Sequence, residues 1–571
     1  MPVQLRAVAL AIGIALATST TATAAPAVTN VTATPANAAA GAHSDFTIAF
    51  DVSGLGATSG GDDVKSLRLD LPPGVLGNPQ ATGGTCAKAQ FTADACPATT
   101  KVGTTVVKAD VAIVLGLVDL GEQTIPGDVY NLPVTGGEAA RLGIVLRPAL
   151  GAKVFLESPA VVRPSDGGLT STVDAIPQST TILTPSDTAL RIDHQSLTLL
   201  AKTSSGNAFE TNPTSCGPAN TTVTIGTYAG QTASGSGGFT PTGCDKLPFA
   251  PKIAAAIGAS RDDVRQGGKP AVTVTVTQQP GEANARSVSV ALPSGLGANA
   301  LSLGNACPLA SYTAGTCPAT AVVGSARVDS PLLAAPLTGR VTFVASGGTL
   351  PELRVALRGG LSIDLTGAIS FGPGGRLINT FDGIFDVPLS RFVLTIDAGP
   401  GSPVSVARDL CEPGAGTLDG TFIAHSGAHA TASTTATMVG CDQIRAPKIS
   451  ARIGRLHGGR PALSVQASSP DRSITSLTLR PRSGLAFTRR APGLAQISAP
   501  GAKAALRNGA LVVTFVPGAS SVTIALQAGG LHVSPSLRRA AHPHPQLTAE
   551  IRRAGLSVRR KTITAQVVRT P

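Results

Sequence analysis

Hydrophobic and polar residues alternate along many short segments of this chain, which is the pattern of half-buried β-strands. Residues 271–276 read Ala-Val-Thr-Val-Thr-Val, and residues 462–466 read Ala-Leu-Ser-Val-Gln. Alternating segments also begin residues 66–74, 287–295 and 476–484, and each of these ends in a turn with proline and glycine. Proline interrupts the hydrogen-bond ladder of a strand, and glycine allows the turn. The pattern therefore predicts a β protein whose strands recur along the chain.

The alternating segments belong to a unit that occurs three times. Residues 250–253 and 446–449 both read Ala-Pro-Lys-Ile, and residues 25–28, Ala-Pro-Ala-Val, are a looser version. A single offset of 221 residues aligns residues 71–103 with residues 292–324 without a gap. We interpret the first two copies as full units, each made of two β-domains. The third copy is shorter, and we predict that it keeps only the first half of the unit.

Length and composition agree with a chain of several β-domains. A single hydrophobic core stops growing at about 250–300 residues, and this chain has 571 residues, of which 65 are Gly and 43 are Pro. We predict an all-β protein of tandem Ig-like or related β-sandwich domains stapled by disulfides. The predicted boundaries are residues 25–118 and 119–246 for β-domains 1a and 1b, residues 247–335 and 336–445 for β-domains 2a and 2b, and residues 446–571 for a basic β-domain 3 with a C-terminal tail.

The eight cysteines follow the duplication. Two short pairs enclose nine residues each, and two pairs are wider; the short pairs are Cys86 with Cys96 and Cys307 with Cys317, and the wide pairs are Cys216 with Cys244 and Cys411 with Cys441. Because the duplication preserves each pair separately, we predict one disulfide within each pair. The short spacing does not match the roughly two to four residues of a zinc knuckle. We therefore expect structural bridges, which persist outside the cytoplasm.

The first 24 residues have the composition of an export signal. Arg6 supplies a positive charge, residues 7–17 are apolar, and Ala22-Thr23-Ala24 is a small-residue cleavage site. The apolar run is much shorter than the roughly 20 residues of a membrane-spanning helix. We therefore expect residues 1–24 to be a cleaved signal peptide, and the mature protein to be extracellular or at the cell surface, either released or retained.

Several turn and packing motifs of the units resemble those of a known group of proteins. They include Leu71-Pro72-Pro73-Gly74, Cys96-Pro97, the Asn-Pro-Thr-Ser-Cys run of residues 212–216, and the Phe-Asp-Val-Pro-Leu-Ser-Arg-Phe run of residues 385–392. On these motifs, residues 28–445 resemble the uncharacterised repeat-bearing exported proteins of actinobacteria. The resemblance implies secretion or surface localisation, and it brings no catalytic residues with it.

Positive charge is concentrated in the third unit. Residues 451–571 contain 18 Lys and Arg against two acids, a net charge of +16, whereas the whole chain carries +12. Such a surface attracts anionic polymers and lipid headgroups, and salt screens the attraction. We predict that the runs of basic residues contact an anionic cell-wall polymer or a membrane surface; these residues are Arg538, Arg539, Arg552, Arg553, Arg559, Arg560 and Lys561. The alternative is an arginine-rich surface without a dedicated partner. We expect no nucleic acid partner, because the chain is exported and lacks a basic motif interleaved with aromatic residues.

Sequence motifs for catalysis are absent. The chain contains no Gly-x-Ser-x-Gly, no His-Glu-x-x-His and no Gly-x-x-x-x-Gly-Lys-Ser/Thr. We predict a protein that is not an enzyme and needs no cofactor or metal, and that acts as a secreted or cell-envelope scaffold or adhesin. An extracellular glycan-binding protein is one alternative, although sugar sites use aromatic faces and this chain has no Trp and three Tyr. An extracellular hydrolase with carboxylates from distant parts of the sequence is another.

Overall fold

The fold of the chain is taken from a computed structural model. It describes residues 25–55, 63–113, 118–149, 152–180, 188–412, 414–441, 445–482, 484–556 and 558–568. These residues form mostly β-strands, which confirms the predicted all-β class. The described helices are short: α1 (Lys88–Thr92), α2 (Arg261–Val264), α3 (Ala300–Leu303), α4 (Leu309–Thr313) and α5 (Pro535–Arg539), with 3₁₀ turns at Pro79–Thr82, Ala98–Thr100, Cys244–Lys246, Ala319–Ala321, Pro373–Gly375 and Pro492–Leu494. The predicted signal peptide, residues 1–24, lies outside the described residues.

Unit one, residues 25–246, is built on one large sheet. Its strands are β1 (Ala27–Pro35), β2 (Phe46–Ser53), β3 (Val64–Asp70), β4 (Leu76–Gly77), β5 (Lys101–Ile113), β6 (Val118–Leu132), β7 (Ala140–Leu146), β8 (Val154–Val162), β9 (Leu169–Val173), β10 (Ser179–Thr180), β11 (Thr188–Leu199), β12 (Glu210–Thr211), β13 (Ala219–Thr227) and β14 (Thr232–Phe239). The strand order is β1-β2-β11-β5-β6-β7-β8-β9-β3-β13-β14, with β10 beside β11, and β4 and β12 form a separate ribbon. Its two ends meet, because a Cβ atom on Gly237 of β14 would lie 2.1 Å from the carbonyl oxygen of Val31 in β1.

Unit one has one large sheet and one main core, which corrects the predicted division into β-domains 1a and 1b. The boundary between residues 118 and 119 falls inside β6, after its first residue, and β6 pairs with β5 over most of its length. β3 lies between β9 and β13, which are far from it in sequence. Phe46 of β2, Leu69 of β3, Ile144 of β7 and Val223 of β13 pack in the same buried cluster. The chain therefore crosses the predicted boundary without leaving the domain.

Unit two, residues 247–445, has the same strand order as unit one. Its strands are β15 (Lys252–Ile257), β16 (Val272–Thr277), β17 (Ala285–Ala291), β18 (Leu296–Ala298), β19 (Cys307–Pro308), β20 (Val322–Asp329), β21 (Leu337–Ala345), β22 (Glu352–Arg358), β23 (Ser362–Phe371), β24 (Leu377–Phe381), β25 (Arg391–Ile396), β26 (Val404–Val406), β27 (Thr417–Ala424), β28 (His429–Thr435) and β29 (Thr437–Met438). The order β15-β16-β25-β20-β21-β22-β23-β24-β17-β27-β28 matches unit one strand for strand, and β18 pairs with β26 as β4 pairs with β12. Unit two adds β29 beside β15 and β19 beside β21. The predicted boundary between β-domains 2a and 2b likewise falls within one sheet, just before β21, which pairs with β20.

Unit three, residues 446–568 in the structure, is a sandwich of two sheets. Its strands are β30 (Lys448–Gly454), β31 (Ala462–Ser468), β32 (Ile474–Pro481), β33 (Leu485–Phe487), β34 (Ala495–Ile497), β35 (Lys503–Arg507), β36 (Ala510–Ala519), β37 (Ser521–Leu526), β38 (Leu531–Val533), β39 (Gln546–Arg553), β40 (Arg559–Thr564) and β41 (Gln566–Val568). One sheet has the order β34-β37-β31-β30-β41, the other β35-β36-β32-β39-β40, and β33 pairs with β38.

Unit three keeps both ends of the unit and lacks its middle, which corrects the expectation that it keeps only the first half. β32 lies between β36 and β39, as β3 lies between β9 and β13 in unit one. β34 and β35 take the neighbour positions of β5 and β8, but the described residues of unit three provide no counterparts of β6 and β7. Without these two linking strands, the continuous sheet of unit one becomes two facing sheets.

The four disulfides join the nearest-neighbour cysteines that the sequence predicts: Cys86–Cys96, Cys216–Cys244, Cys307–Cys317 and Cys411–Cys441. The short bridges close the loops that carry α1 and α4. The wide bridge Cys216–Cys244 ties the segment before β13 to the segment that leaves unit one after β14, and Cys411–Cys441 does the same in unit two. Each wide bridge therefore fixes the exit of its unit.

Motifs that carry the resemblance to exported proteins lie where units one and two meet. The buried carboxylate of Asp386 accepts hydrogen bonds from the Thr214 N–H at 2.9 Å, the Thr214 hydroxyl at 2.6 Å and the Asn284 side-chain amide at 2.8 Å. Phe385 packs against Gly167, where a Cβ atom would overlap its ring. Because Thr214 stands two residues before Cys216, the wide disulfide and this contact hold the same segment.

Candidate anionic-surface contact

In unit three, the sheet β35-β36-β32-β39-β40 carries most of its exposed charge on the face that points away from the core. Along β39, Leu547, Ala549 and Ile551 point into the core, so Thr548, Glu550 and Arg552 point outward. The same parity in β32 buries Leu477 and Leu479. The register pairs outward residues with one another, for example Ser476 with Arg552 and Glu550 with Arg560.

Five cationic side chains share this outer face, and we call them the basic face: Arg480, Lys503, Arg507, Arg552 and Arg560. The acid among them is Glu550, which pairs with Arg560 at 2.7 Å and lies 3.8 Å from Arg480. The side chain of Arg560 remains 73% exposed in this pair. Exposed hydroxyls of Thr514 and Thr562 stand between the cations. The face can therefore bind anionic groups by charge and by hydrogen bonds together.

The structure disperses the residues that the sequence assigned to the anionic contact. Arg552 and Arg560 belong to the basic face. Arg559 and Lys561 lie on the same edge strand β40, and they are exposed but project toward its other side. Arg538 and Arg539 end α5 and form a different surface, where the Arg538 carbonyl oxygen lies 2.6 Å from Nδ1 of His457.

Arg553 is wrongly assigned to the surface, because its side chain points inward. It is only 5% exposed, and its Nη1 donates a hydrogen bond of 2.8 Å to the carbonyl oxygen of Arg445. Burial and the charge of Arg559 lower the pKa of Arg553. Arg553 therefore belongs to the contact between units two and three.

Units two and three meet through a buried network of arginine and aspartate. Arg261 of unit two is 4% exposed, forms an ion pair with Asp409, and donates a hydrogen bond of 2.6 Å to the carbonyl oxygen of Asp471 in unit three. The Asp471 carboxylate accepts hydrogen bonds from the Arg445 N–H at 2.6 Å and from the Arg445 guanidinium at 3.2 Å. Burial alone would raise the pKa of Asp471, but the hydrogen bonds and charges of Arg445 and Arg261 outweigh it and hold that pKa below its usual value.

Sequence reasoning missed Arg480, Lys503 and Arg507 because it searched for adjacent basic residues. On a strand, adjacent side chains point to opposite faces, so the pair Arg552 and Arg553 cannot present both charges to one surface. Lys503 and Arg507 share one side of β35, but Arg480, Arg552 and Arg560 lie on three other strands, so only the sheet order brings the five cations to one face.

A second group of arginines lies on the outer face of unit two, where Arg327 pairs with Asp329 and Arg358 pairs with Asp364. Arg327, Arg340 and Arg358 surround an open depression of about 630 Å³ on β20, β21 and β22. Arg340 lies opposite Ser325 in the sheet. Thr104 precedes Ser325 by the 221-residue offset and lies opposite Asp128. Unit one therefore has an acid where unit two has Arg340. In unit one this acid pairs with neighbouring cations, so the corresponding surface is more nearly neutral.

A hydrolase requires carboxylates that meet in an accessible cleft, and the most perturbed acid lies elsewhere. Burial raises the pKa of Glu210 to about 8, and the Asp45 charge adds to that rise. Glu210 has no solvent exposure, so its carboxyl cannot reach a substrate. In the described part of the chain, no group of three or more His, Cys, Asp and Glu side chains is placed to hold a metal ion.

Comparisons with known proteins leave the function open. No family model and no curated protein matches the chain. Among solved structures, one titled "The Enterococcus faecalis MSCRAMM ACE binds its ligands by the collagen Hug Model" is similar over 55% of this chain and 95% of its own, at 9% identity and a TM-score of 0.16. At so low a TM-score the similarity says nothing about what this chain binds. Within the described residues, no helix is long and apolar enough to cross a membrane.

Proposed function

We propose that this chain is a non-enzymatic exported scaffold or adhesin-like protein, in which unit three binds an anionic cell-wall polymer through the basic face. The observation that carries the proposal is the one-sided arrangement of Arg480, Lys503, Arg507, Arg552 and Arg560 around a single acid. A strand-built surface with charges spaced along it matches an extended polymer with repeated anionic groups.

Units one and two suit a supporting role in this proposal. Their wide disulfides fix the exit segments, and buried polar contacts join each unit to the next. Disulfides of this kind persist in oxidising, extracellular surroundings, which agrees with export. The resemblance to exported actinobacterial proteins points the same way.

The test compares two variants of the full chain that each remove five positive charges from unit three. The face variant changes every residue of the basic face to Gln. The control variant changes Arg452, Arg489, Arg490, Arg538 and Arg539 to Gln, and none of these belongs to the basic face. Binding to a polyglycerol phosphate polymer is measured at low and high salt, with neutral glycans and phosphatidylglycerol vesicles in parallel.

We expect the face variant to bind the polymer at least about tenfold more weakly at low salt, and the control variant to bind nearly as well as the wild type. Salt should weaken the wild-type interaction because the charges are exposed. Equal losses in both variants would show that only total charge matters and would refute the proposal. Salt-insensitive binding to a neutral glycan would favour the glycan-binding alternative instead, and binding to vesicles alone would move the partner to the membrane.

A further inference from the structure

Unit two encloses an apolar cavity of about 120 Å³. It lies between β16 and β25 on one side and β17 and β24 on the other. Its lining is aliphatic or aromatic apart from the amide of Asn379, and it contains no charged side chain; representative lining residues are Val274, Leu292, Phe343, Leu377 and Ile396. Asn379 donates its side-chain hydrogen bond to the Ala368 carbonyl oxygen. Water would therefore find few hydrogen-bond partners in this cavity.

Unit one has larger side chains at positions that line this cavity in unit two: Phe46 is equivalent to Val272, and Phe209 is equivalent to Pro403. The Asn78 N–H donates to the Phe209 carbonyl oxygen at 2.8 Å, and the Asn299 N–H donates to the Pro403 carbonyl oxygen at 2.8 Å. Asn78 and Asn299 are separated by the 221-residue offset, so Phe209 and Pro403 occupy equivalent positions. Phe209 is buried in the core of unit one, and Pro403 lines the cavity of unit two.

The residue opposite Phe209 shows how closely its ring fits. A Cβ atom on Gly77 would lie 3.1 Å from the ring of Phe209, so glycine leaves the space that the ring needs. Unit two has Ala298 at the position equivalent to Gly77, because Gly77 pairs with Glu210 and Ala298 pairs with Val404. Unit two therefore lacks both the Phe209 ring and the glycine that accommodates it, at two positions that line its cavity.

The cavity reaches the surface at one end. Phe371, which is 54% exposed, and the exposed Ala298 are among its lining residues. Exposed large hydrophobic side chains are uncommon on the described surface of unit two, and this one stands at the lip of an apolar space. A ligand can therefore enter without separation of the two sides of the core.

We propose that the cavity of unit two binds one uncharged hydrocarbon group of about the size of a phenyl ring, in the place that Phe209 occupies in unit one. An engineered apolar cavity of similar size stays dry and binds benzene. The absence of charged lining residues excludes an ionic head group inside the cavity, so a larger ligand would insert only its apolar end. This inference is independent of the basic face.

Benzene and cyclohexane serve as probes of the full-length protein with ¹³C-labelled Val and Leu methyl groups. We expect saturable shifts of the methyl signals of Val274 and Leu377, and no comparable shifts of Val223 in the core of unit one. A similar response to both probes indicates that size and apolarity decide binding, and a response to benzene alone indicates a preference for flat rings. Absence of saturable shifts with either probe would refute the proposal without any mutation.

A transplant of the unit-one side chain provides the second test. Pro403→Phe together with Ala298→Gly places the ring and its glycine into unit two, and Val516→Phe adds a phenyl group at a site in unit three that is 79% exposed. The transplant should weaken benzene binding at least about tenfold, while Val516→Phe leaves it unchanged. Unperturbed methyl signals of unit-two core residues outside the cavity, such as Leu418, would show that the transplanted unit is folded. Wild-type affinity in a folded transplant would place the ligand elsewhere and overturn the proposal.

Discussion

The substitution Glu210→Gln should remove a strong pH dependence from the stability of unit one. Glu210 lies in β12 opposite Gly77 and has no solvent exposure. The Ser44 N–H donates to Oε2 of Glu210 at 3.2 Å, and Oε1 has no hydrogen-bond partner. Unit two has the buried Val404 at the equivalent position, so the fold accepts an uncharged side chain there. The Gln side chain has nearly the shape of the protonated carboxyl.

The size of the effect follows from the shifted pKa. Burial, with a smaller contribution from Asp45, raises the pKa of Glu210 from 4.5 to about 8. The folded protein therefore holds this proton more tightly than the unfolded chain does. The resulting stability is fully present below the unfolded pKa and is lost as pH rises through the folded pKa. A difference of about 3.5 pH units corresponds to about 5 kcal/mol between pH 4 and pH 9.

Pulse proteolysis in urea measures this loss in the full chain, with mass spectrometry to identify cleavage within unit one. Wild-type unit one should need clearly less urea to unfold at pH 9 than at pH 5, and Glu210→Gln should flatten the difference. Glu122→Gln is the control, since Glu122 is half exposed and its pair with Lys108 contributes at most about 1 kcal/mol. If the wild type and Glu210→Gln lose stability in parallel over this range, the carboxyl of Glu210 is not the group that titrates.

Three further changes test the packing and the junctions. Asp471→Ala removes the carboxylate that accepts hydrogen bonds from Arg445 and faces Arg261, which keeps its pair with Asp409, and it should weaken the contact of units two and three, measured as faster hydrogen exchange on both sides of the junction; unchanged exchange would show that the network is not a support. Replacement of Cys216 and Cys244 by Ala should lower the free energy of unfolding of unit one by about 3–4 kcal/mol in urea titrations, and a loss below 1 kcal/mol would mean that the bridge adds little to the packing around it. The transplant Pro403→Phe with Ala298→Gly should raise the melting temperature of unit two, because filling a cavity of about 120 Å³ recovers up to about 3 kcal/mol; a lower melting temperature would show that the ring does not fit.

Local sequence patterns were informative about strands and cysteines. Alternation in residues 271–276 and 462–466 predicts strands that the structure contains as β16 and β31. Hydrophobic and polar residues alternate wherever a strand has one buried and one exposed face, and this alternation is a local property of the sequence. The cysteine pairs were equally accessible, since the duplication preserves each pair separately.

The partners of those strands were not accessible from the same patterns. β3 pairs with β9, about one hundred residues later in the chain, and with β13, about one hundred and fifty residues later. The alternation within β3 does not indicate either partner. The division of units one and two at residues 118 and 335 therefore failed. Neighbours in sequence are not always the neighbours in these sheets, because the strand order also joins strands that are far apart in the chain.

For the candidate sites, the sequence determined the amount of charge and the tertiary structure decided where it acts. The excess of Lys and Arg in residues 451–571 is a property of composition. Strand parity and sheet order then separate Arg552, which faces solvent, from Arg553, which is buried beside Arg445. The cavity of unit two depends on tertiary structure even more, because the contrast of Phe209 with Pro403 has meaning only once the two positions are superposed. Composition and alternation follow from each residue alone, but faces and cavities arise from residues that only the folded chain brings together.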